Sequence, residues 1–180
     1  MENLNIVCQT TRLTLRHFTM DDLGSLVALH CDPEVSRFLG GVKTPEQSRL
    51  RLLEWIAEYD QYGFSKWAVM LRSTGEFIGR CGLSLEEFDG VSDWELGWTL
   101  ARAHWGQGYA TEAAAAAMNH SFNKLGLQRL ISLIRPGNFA SIRVAERLGM
   151  TYQRMVDWKG VQAHMYLASA PPRVISPTSM

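Results

Sequence analysis

Residues 12–18 (RLTLRHF) alternate apolar and polar positions, the period of a strand with one buried face. Thr19 with Asp22 three residues later has the form of a helix start. Behind it Leu23, Leu26, Val27 and His30 share one helical face. Asp32-Pro33 ends that helix, and Gly40-Gly41 marks a loop. Thr44-Pro45-Glu46-Gln47 predicts a second helix start: the threonine caps, the proline suits the first helical position, and Gln47 can close a capping box. This helix is expected to run through Leu50, Leu53, Ile56 and Ala57 and to stop before Gly63. Segments 65–72 (SKWAVMLR), 77–85 (FIGRCGLSL) and 94–100 (WELGWTL) read as strands. A tight turn at 73–76 and a loop around Asp89-Gly90 join them, so an antiparallel meander is expected.

The alanine run 113–117 has high helix propensity and places the longest helix over 109–125, with Gly126 as its left-handed stop. Residues 129–135 (RLISLIR) form a further strand. Asn138 to Leu148 form a short helix with Ile142, Ala145 and Leu148 inward, and 151–157 with 161–168 form a hairpin across Lys159-Gly160. The order β-α-α-β-β-β-α-β-α-β-β, without internal linker or repeat, predicts one mixed α+β domain over 1–170. Residues 171–180 carry Pro and Ser without periodicity and are expected to be a flexible tail.

Composition narrows the function classes only modestly. The 180-residue chain has a formal net charge of zero, so no general affinity for nucleic acid or anionic lipid is expected. Cys8, Cys31 and Cys81 lie far apart, with no CxxC pair and no Cys/His group at metal-ligand spacing; free thiols and no metal are expected. The N-terminus lacks a basic region followed by an apolar core, and no apolar run approaches the about 20 residues that cross a bilayer. The expectation is therefore a cytoplasmic, membrane-free protein.

The candidate chemistry begins at Trp105-Gly106-Gln107-Gly108-Tyr109-Ala110-Thr111, where a strand turns directly into the alanine-rich helix. A helix N-terminus presents unpaired N–H groups and partial positive charge, and glycines let a ligand come close to the backbone, which suits a pyrophosphate. Gly-x-Gly before a helix is equally compatible with a plain tight turn that binds nothing. A dinucleotide fingerprint would want a small residue where Thr111 stands, and a P-loop would want Gly-Lys-Ser/Thr, which is missing.

The same turn, extended through Glu112-Ala113, resembles the cofactor motif of the Gcn5-related N-acetyltransferase (GNAT) superfamily, in particular the branch of ribosomal-protein alanine acetyltransferases (RimJ/RimL-like). Asn138-Phe139-Ala140-Ser141-Ile142-Arg143-Val144-Ala145-Glu146-Arg147-Leu148-Gly149-Met150 is similar to that branch's second motif. Arg12-Leu13-Thr14-Leu15-Arg16 and Glu95-Leu96-Gly97-Trp98 also fit, so the resemblance spans about residues 10–168. The wider superfamily pattern begins with Gln or Arg where Trp105 stands, which removes one donor side chain.

The resemblance implies a central, mostly antiparallel mixed sheet with helices on both faces, splayed between its fourth and fifth strands, 94–100 and 129–135 here. Acetyl-CoA as co-substrate would place its pyrophosphate on Trp105, Gly106, Gln107, Gly108, Tyr109, Ala110 and Thr111. Its pantetheine would lie in the wedge against backbone near Trp98 and Leu100 and against the side chain of Asn138. Gly97 sits where a β-bulge would aim an N–H at the thioester carbonyl.

Acyl transfer to an amine needs a neutral nucleophile, a stabilised oxyanion and, where useful, a proton for the departing thiolate. Glu95 is the candidate base, with Asp93, Glu86 and Glu87 as reserves; it could equally be an ion-paired surface carboxylate. The second-motif helix contains no tyrosine, so Ser141 is the candidate acid and cofactor neighbour, with water as an alternative. His104 is read as a surface or phosphate-side residue, and His17, His30, His120 and His164 as structural or solvated. Trp67, Trp94, Trp98 and Trp158 could line an acceptor pocket or belong to the core.

The expected function is transfer of an acetyl group to a primary amine, on a protein N-terminus or a small molecule, by direct attack in a ternary complex. Alternatives are a non-catalytic acyl-CoA sensor and a transferase using another donor such as succinyl-CoA. The acceptor stays open, since the loops 33–43, 86–93 and 157–161 fix no charge preference. Monomer and homodimer are both compatible, the final hairpin offering an edge strand.

Overall fold

The structure, a computed structural model, describes residues 5–172; the greater part of the expected tail, from 173 on, lies outside the described residues. The chain begins with strand β1 (Ile6–Gln9) and β2 (Leu13–Arg16), followed by helices α1 (Leu23–Cys31), α2 (Pro33–Ser36) and α3 (Pro45–Tyr62). Strands β3 (Lys66–Leu71), β4 (Phe77–Phe88) and β5 (Val91–Leu100) form the meander, and α4 (Tyr109–Asn123) follows the glycine turn. Then come β6 (Arg129–Ile134), α5 (Phe139–Arg147), β7 (Thr151–Trp158) and β8 (Val161–Ser169).

All eight strands share one sheet in the order β1-β2-β3-β4-β5-β6-β8-β7. Every neighbouring pair is antiparallel except β5 and β6, which run parallel and meet at the single pair Glu95↔Ile131. The expected splay is thus present. At its vertex the buried Ser132 hydroxyl donates to the Leu96 carbonyl at 2.7 Å, tying the two strands where the backbone ladder stops.

Helices cover both faces of the sheet. On one, Ala113, Ala114 and Ala117 of α4 have no exposed surface and pack with Leu13, Trp67 and Leu83, the close approach that small side chains allow. On the other, α1 and α3 bury Leu26, Leu29, Leu52 and Trp55 against Phe18 and Ala68.

Three expectations are corrected. The longest helix is α3, with 18 residues against 15 in α4. Strand β1 had no alternation to announce it; its ends are exposed, and a register break between Ile6 and Cys8 spoils its period. In α3 the Thr44–Gln47 capping box forms as expected, at 3.1 and 2.8 Å. Its inward stripe, however, is Ser48, Leu52 and Trp55, while Leu50 and Leu53 are 48% and 38% exposed. Trp55 decides the rotation because it offers the largest apolar area, and Ser48 is kept inside by a 3.0 Å hydrogen bond to His30. Near the chain start Asp22 does more than cap. Its carboxylate accepts the Thr19 N–H at 2.9 Å and takes the Arg16 guanidinium at 2.6 and 2.7 Å, a buried bidentate pair.

Candidate active site

Two cavities meet over the splayed strands. One, of about 550 Å³, is bounded by the turn at Trp105, Gly106 and 108–111, which Gln107 does not border, and by Asn138, Ser141, Arg143 and Arg147 of the α5 segment. The other, of about 340 Å³, is bounded by Lys66, Arg80, Glu86, Glu95, Gly97 and Arg135. Phe38, Leu39, Trp98, Thr99, Asn138 and Ser141 border both. A molecule in one cavity therefore faces a molecule in the other across Trp98, Thr99 and Ser141.

The first cavity is built from backbone. Gly106 and Gly108 have φ of 75° and 80°, a conformation costly for other residues, and Gly108 is the residue from which α4 springs. Among the described residues, no N–H from Gly106 to Thr111 donates to a protein acceptor; the first helical bond is from Glu112 to the Gly108 carbonyl. Six N–H groups are thus open at a positive helix end, a donor set suited to an anion.

Arg12 fixes the turn from the side. It donates to the Gln107 carbonyl at 3.0 Å and to Glu112 at 2.6 Å, and its guanidinium lies 4.3 Å from the Tyr109 ring centre. Burial opposes charge on Glu112, but hydrogen bonds from Thr10 and Arg12 outweigh it and hold its carboxyl below the usual range. The opening Arg12 motif thus acquires a physical role that its sequence pattern alone did not supply.

Trp105 does not offer its indole to a ligand. The indole N–H donates to the Leu100 carbonyl at 2.8 Å and pins the turn to the end of β5. Thr99 Oγ1, by contrast, is buried at the meeting point of the cavities and makes no hydrogen bond among the described residues. Asn138 caps α5, its side-chain oxygen accepting the Ser141 N–H at 3.2 Å, and both side chains border the two cavities.

The second cavity has a polar floor made by strand alternation. Arg80 opposes Thr99 and Ser84 opposes Glu95 across β4 and β5, and Lys66 of β3 reaches in beside them. Lys66 Nζ donates to Glu95 Oε2 at 2.9 Å and to the Gly82 carbonyl at 2.9 Å, and Ser84 donates to the same Oε2 at 3.1 Å. The pair is secluded, at 5% and 12% side-chain exposure. Both contacts to Glu95 fall on Oε2, so Oε1 has no hydrogen-bond partner among the described residues.

Gly97 explains the room this pair has. The β4–β5 register passes through Gly82↔Gly97 without a break, so the expected bulge does not occur there. A Cβ on Gly97 would instead lie 2.8 Å from Glu95 Oε2 and 2.9 Å from Lys66 Nζ. The missing side chain is space for the ion pair.

The reserve carboxylates are otherwise engaged. Asp93 pairs with Arg129 at 2.7 Å, and Glu86 takes Lys159 at 2.7 Å and the Trp158 indole at 2.9 Å. Burial opposes the Glu86 charge, yet these two bonds prevail and keep its carboxyl below the usual range. Glu87 is exposed and does not border the cavity. His104 bonds Glu76 at 3.1 Å at the turn's edge, and His30 is buried with its pKa pushed down to about 3 by burial and by the charges of Arg80, Lys43 and Arg51. Of the tryptophans, Trp98 and Trp158 border the second cavity, while Trp67 is fully buried core.

Lys66, Arg80, Arg135 and Thr99 were missed from the sequence. Their signal was a run of polar residues at alternate strand positions inside an otherwise apolar sheet, visible only once both faces are known to be covered. Among the described residues no group of three or more His, Cys, Asp or Glu could hold a metal ion, and no helix is long and apolar enough to cross a membrane.

Known proteins share this architecture. Residues 12–151 match the acetyltransferase (GNAT) domain family. The uncharacterized protein YkkB of Bacillus subtilis (strain 168) is 39% identical over 153 residues, 82% of this chain and 86% of that protein. The crystal structure of the acetyltransferase from Agrobacterium tumefaciens str. C58 superposes with a TM-score of 0.80 at 31% identity, covering 89% of this chain and 92% of that one. RimL, a ribosomal L7/L12 alpha-N-protein acetyltransferase solved in complex with coenzyme A, shares the fold at a TM-score of 0.70 and 19% identity, over 92% of this chain and 98% of that one.

Proposed function

The chain belongs to the GNAT acetyltransferase family and is an acyl-CoA-dependent N-acetyltransferase; from that premise we propose that it moves an acetyl group from acetyl-CoA to a primary amine by direct attack in a ternary complex. One observation carries this reading: two cavities, one ending on six open backbone N–H groups and the other on Glu95, meet at Trp98, Thr99, Asn138 and Ser141.

In this reading the N–H groups of Gly106 to Thr111 hold the pyrophosphate, with Arg143 and Arg147 at the rim of the same cavity. Trp105 acts by fixing the turn, and Gln107 through the carbonyl that Arg12 holds. The backbone from Trp98 to Leu100, past the one point where β6 meets β5, and the Asn138 side chain hold the pantetheine arm. When bound, acetyl-CoA supplies an activated acyl carbon and a thiolate leaving group.

Glu95 Oε1 takes the ammonium proton directly or through one water, while Lys66 and Ser84 hold the carboxylate in place through Oε2. The neutral amine adds to the thioester carbonyl, forming the C–N bond, and the C–S bond then breaks. The proton that the amine nitrogen loses passes to the departing thiolate through the Ser141 hydroxyl or a water beside it, so Ser141 ends as it began. Holding both partners in adjoining cavities removes much of the entropic cost of bringing them together.

Acetyl-CoA should raise the melting temperature, and mixing it with an amine panel should release thiol. No shift well above micromolar acetyl-CoA would count against the site; a shift with no thiol release on any amine or peptide N-terminus would favour a sensor. Full turnover in both Glu95→Gln and Ser141→Ala would remove these residues from the chemistry.

A further inference from the structure

The second cavity holds more positive charge than its carboxylates can use. Glu95 is taken by Lys66, Glu86 by Lys159 and Trp158, and Glu58 accepts from the Ser65 hydroxyl. Arg51 is drawn to Glu54 on the surface at 2.9 Å. Lys43, Arg80 and Arg135 remain, against one carboxylate, Glu58, that meets only a hydroxyl. Arg80 and Arg135 both have a buried Nε with no hydrogen-bond partner, and neither forms an ion pair among the described residues.

Arg80 is placed for a ligand rather than for the core. It opposes Thr99 at the meeting point of the two cavities, and its guanidinium lies 5.3 Å from the Trp55 ring centre. Stacking on a ring face leaves the N–H fork of an arginine free for a planar or tetrahedral anion. Lys43 stands close enough that burial, and then Arg51, Arg80 and Arg135, pull its pKa down. Both arginines are partly buried, and a partly buried guanidinium that forms no ion pair gains from an anion that reaches its N–H fork.

We infer that the acceptor is a small amine that also carries an anionic group, a carboxylate or a phosphate, which Arg80 and Arg135 hold in the cavity that contains Glu95. The inference rests on the transferase reading above. A positive wall also loosens the proton on an incoming ammonium, which favours the neutral nucleophile, and it disfavours polycationic amines. The cavity of about 340 Å³ suits a small molecule.

The test compares kcat/KM for thiol release at saturating acetyl-CoA on matched acceptors. Amino acids are set against their primary amides, aminoalkyl phosphates against the corresponding amino alcohols, and a polyamine is included. The anionic member of at least one series should be preferred by roughly tenfold or more, the worth of a charge-assisted bidentate contact. Which series shows the preference tells carboxylate from phosphate. Arg80→Gln and Arg135→Gln should each shrink that ratio by about fivefold, and Arg80→Lys should recover part of it. Equal kcat/KM for charged and neutral partners in both series overturns the inference while leaving the transferase intact, and so does a preference for the polyamine. An anionic preference that both glutamine variants keep also overturns it. Thiol release on no acceptor overturns the transferase reading and this inference with it. The wild-type comparison needs no variant, so misfolding of one substitution does not remove the test.

Discussion

The Lys66–Glu95 pair allows stability and chemistry to be separated. Replacing Lys66 with Met leaves the Glu95 carboxylate at 12% exposure with Ser84 as its one hydrogen-bond donor among the described residues, and removes the donor to the Gly82 carbonyl. Taking one partner from a buried pair costs about 3–5 kcal/mol. The site borders a cavity, where water can soften the loss, so the lower end, about 3 kcal/mol, is expected. For a chain of 180 residues that is a fall of roughly 6–12 °C in Tm. Glu95→Gln keeps the shape and an acceptor oxygen for Lys66, and is expected to cost less, about 2 kcal/mol. The double variant Lys66→Met/Glu95→Gln removes both charges of the pair together, and should return to within about 1 kcal/mol of wild type. Activity follows another course. Glu95→Gln should lose about 10²–10⁴-fold in kcat, and the double variant should stay as slow although it is stable. Urea titration of the four proteins, with thiol-release kinetics on the same samples, reads both axes. If activity returns together with stability in the double variant, Glu95 acts only through the fold and its assignment as base fails.

Further expectations come from single contacts. Gly97→Ala puts a Cβ within 2.8 Å of Glu95 Oε2 and 2.9 Å of Lys66 Nζ, both ends of flexible chains, so Tm should hold within a few degrees while kcat falls about tenfold or more; unchanged turnover would mean that the pair can shift without consequence. Gly108→Ala at φ 80° carries about 1–2 kcal/mol of backbone strain at the turn, and calorimetry should find acetyl-CoA binding weakened by about tenfold. His30 is neutral in the fold, with its pKa lowered from 6.5 to about 3, while the unfolded chain protonates below 6.5. Its contribution is therefore complete above pH 6.5 and declines by up to about 1.4 kcal/mol per pH unit from there towards 3; His30→Gln should flatten that part of a urea-midpoint profile.

The turn proposed to hold the acyl donor was legible in the chain because its geometry is local and carried by backbone. Gly106 to Thr111 are contiguous, their N–H groups are freed by the geometry of any helix start, and two glycines at positive φ mark the place. Asn138 and Ser141 lie on one short cap, again within four residues. Fold class followed for a similar reason, since periods of two and 3.6 and the capping box at Thr44 are short-range signals. Where large side chains chose between two faces, as in α3, the short-range signal failed: Leu50 and Leu53 carried the apparent stripe and Trp55 took the core.

The acceptor half is a different kind of object. Lys66, Arg80, Glu95 and Arg135 come from four separate strand regions, and each is an ordinary charged residue in its own neighbourhood. What makes Glu95 more than a surface carboxylate is that Lys66, 29 positions earlier, meets it under Gly97; what makes Arg80 notable is that no described residue bonds its buried Nε. Motif likeness therefore points to an acyl-CoA, whose phosphates backbone N–H groups can hold, while the proposed acceptor is read from the charge left over after the protein's own pairs are counted. That remainder is positive in this chain, and it narrows the amine in a way that neither net charge nor family membership can.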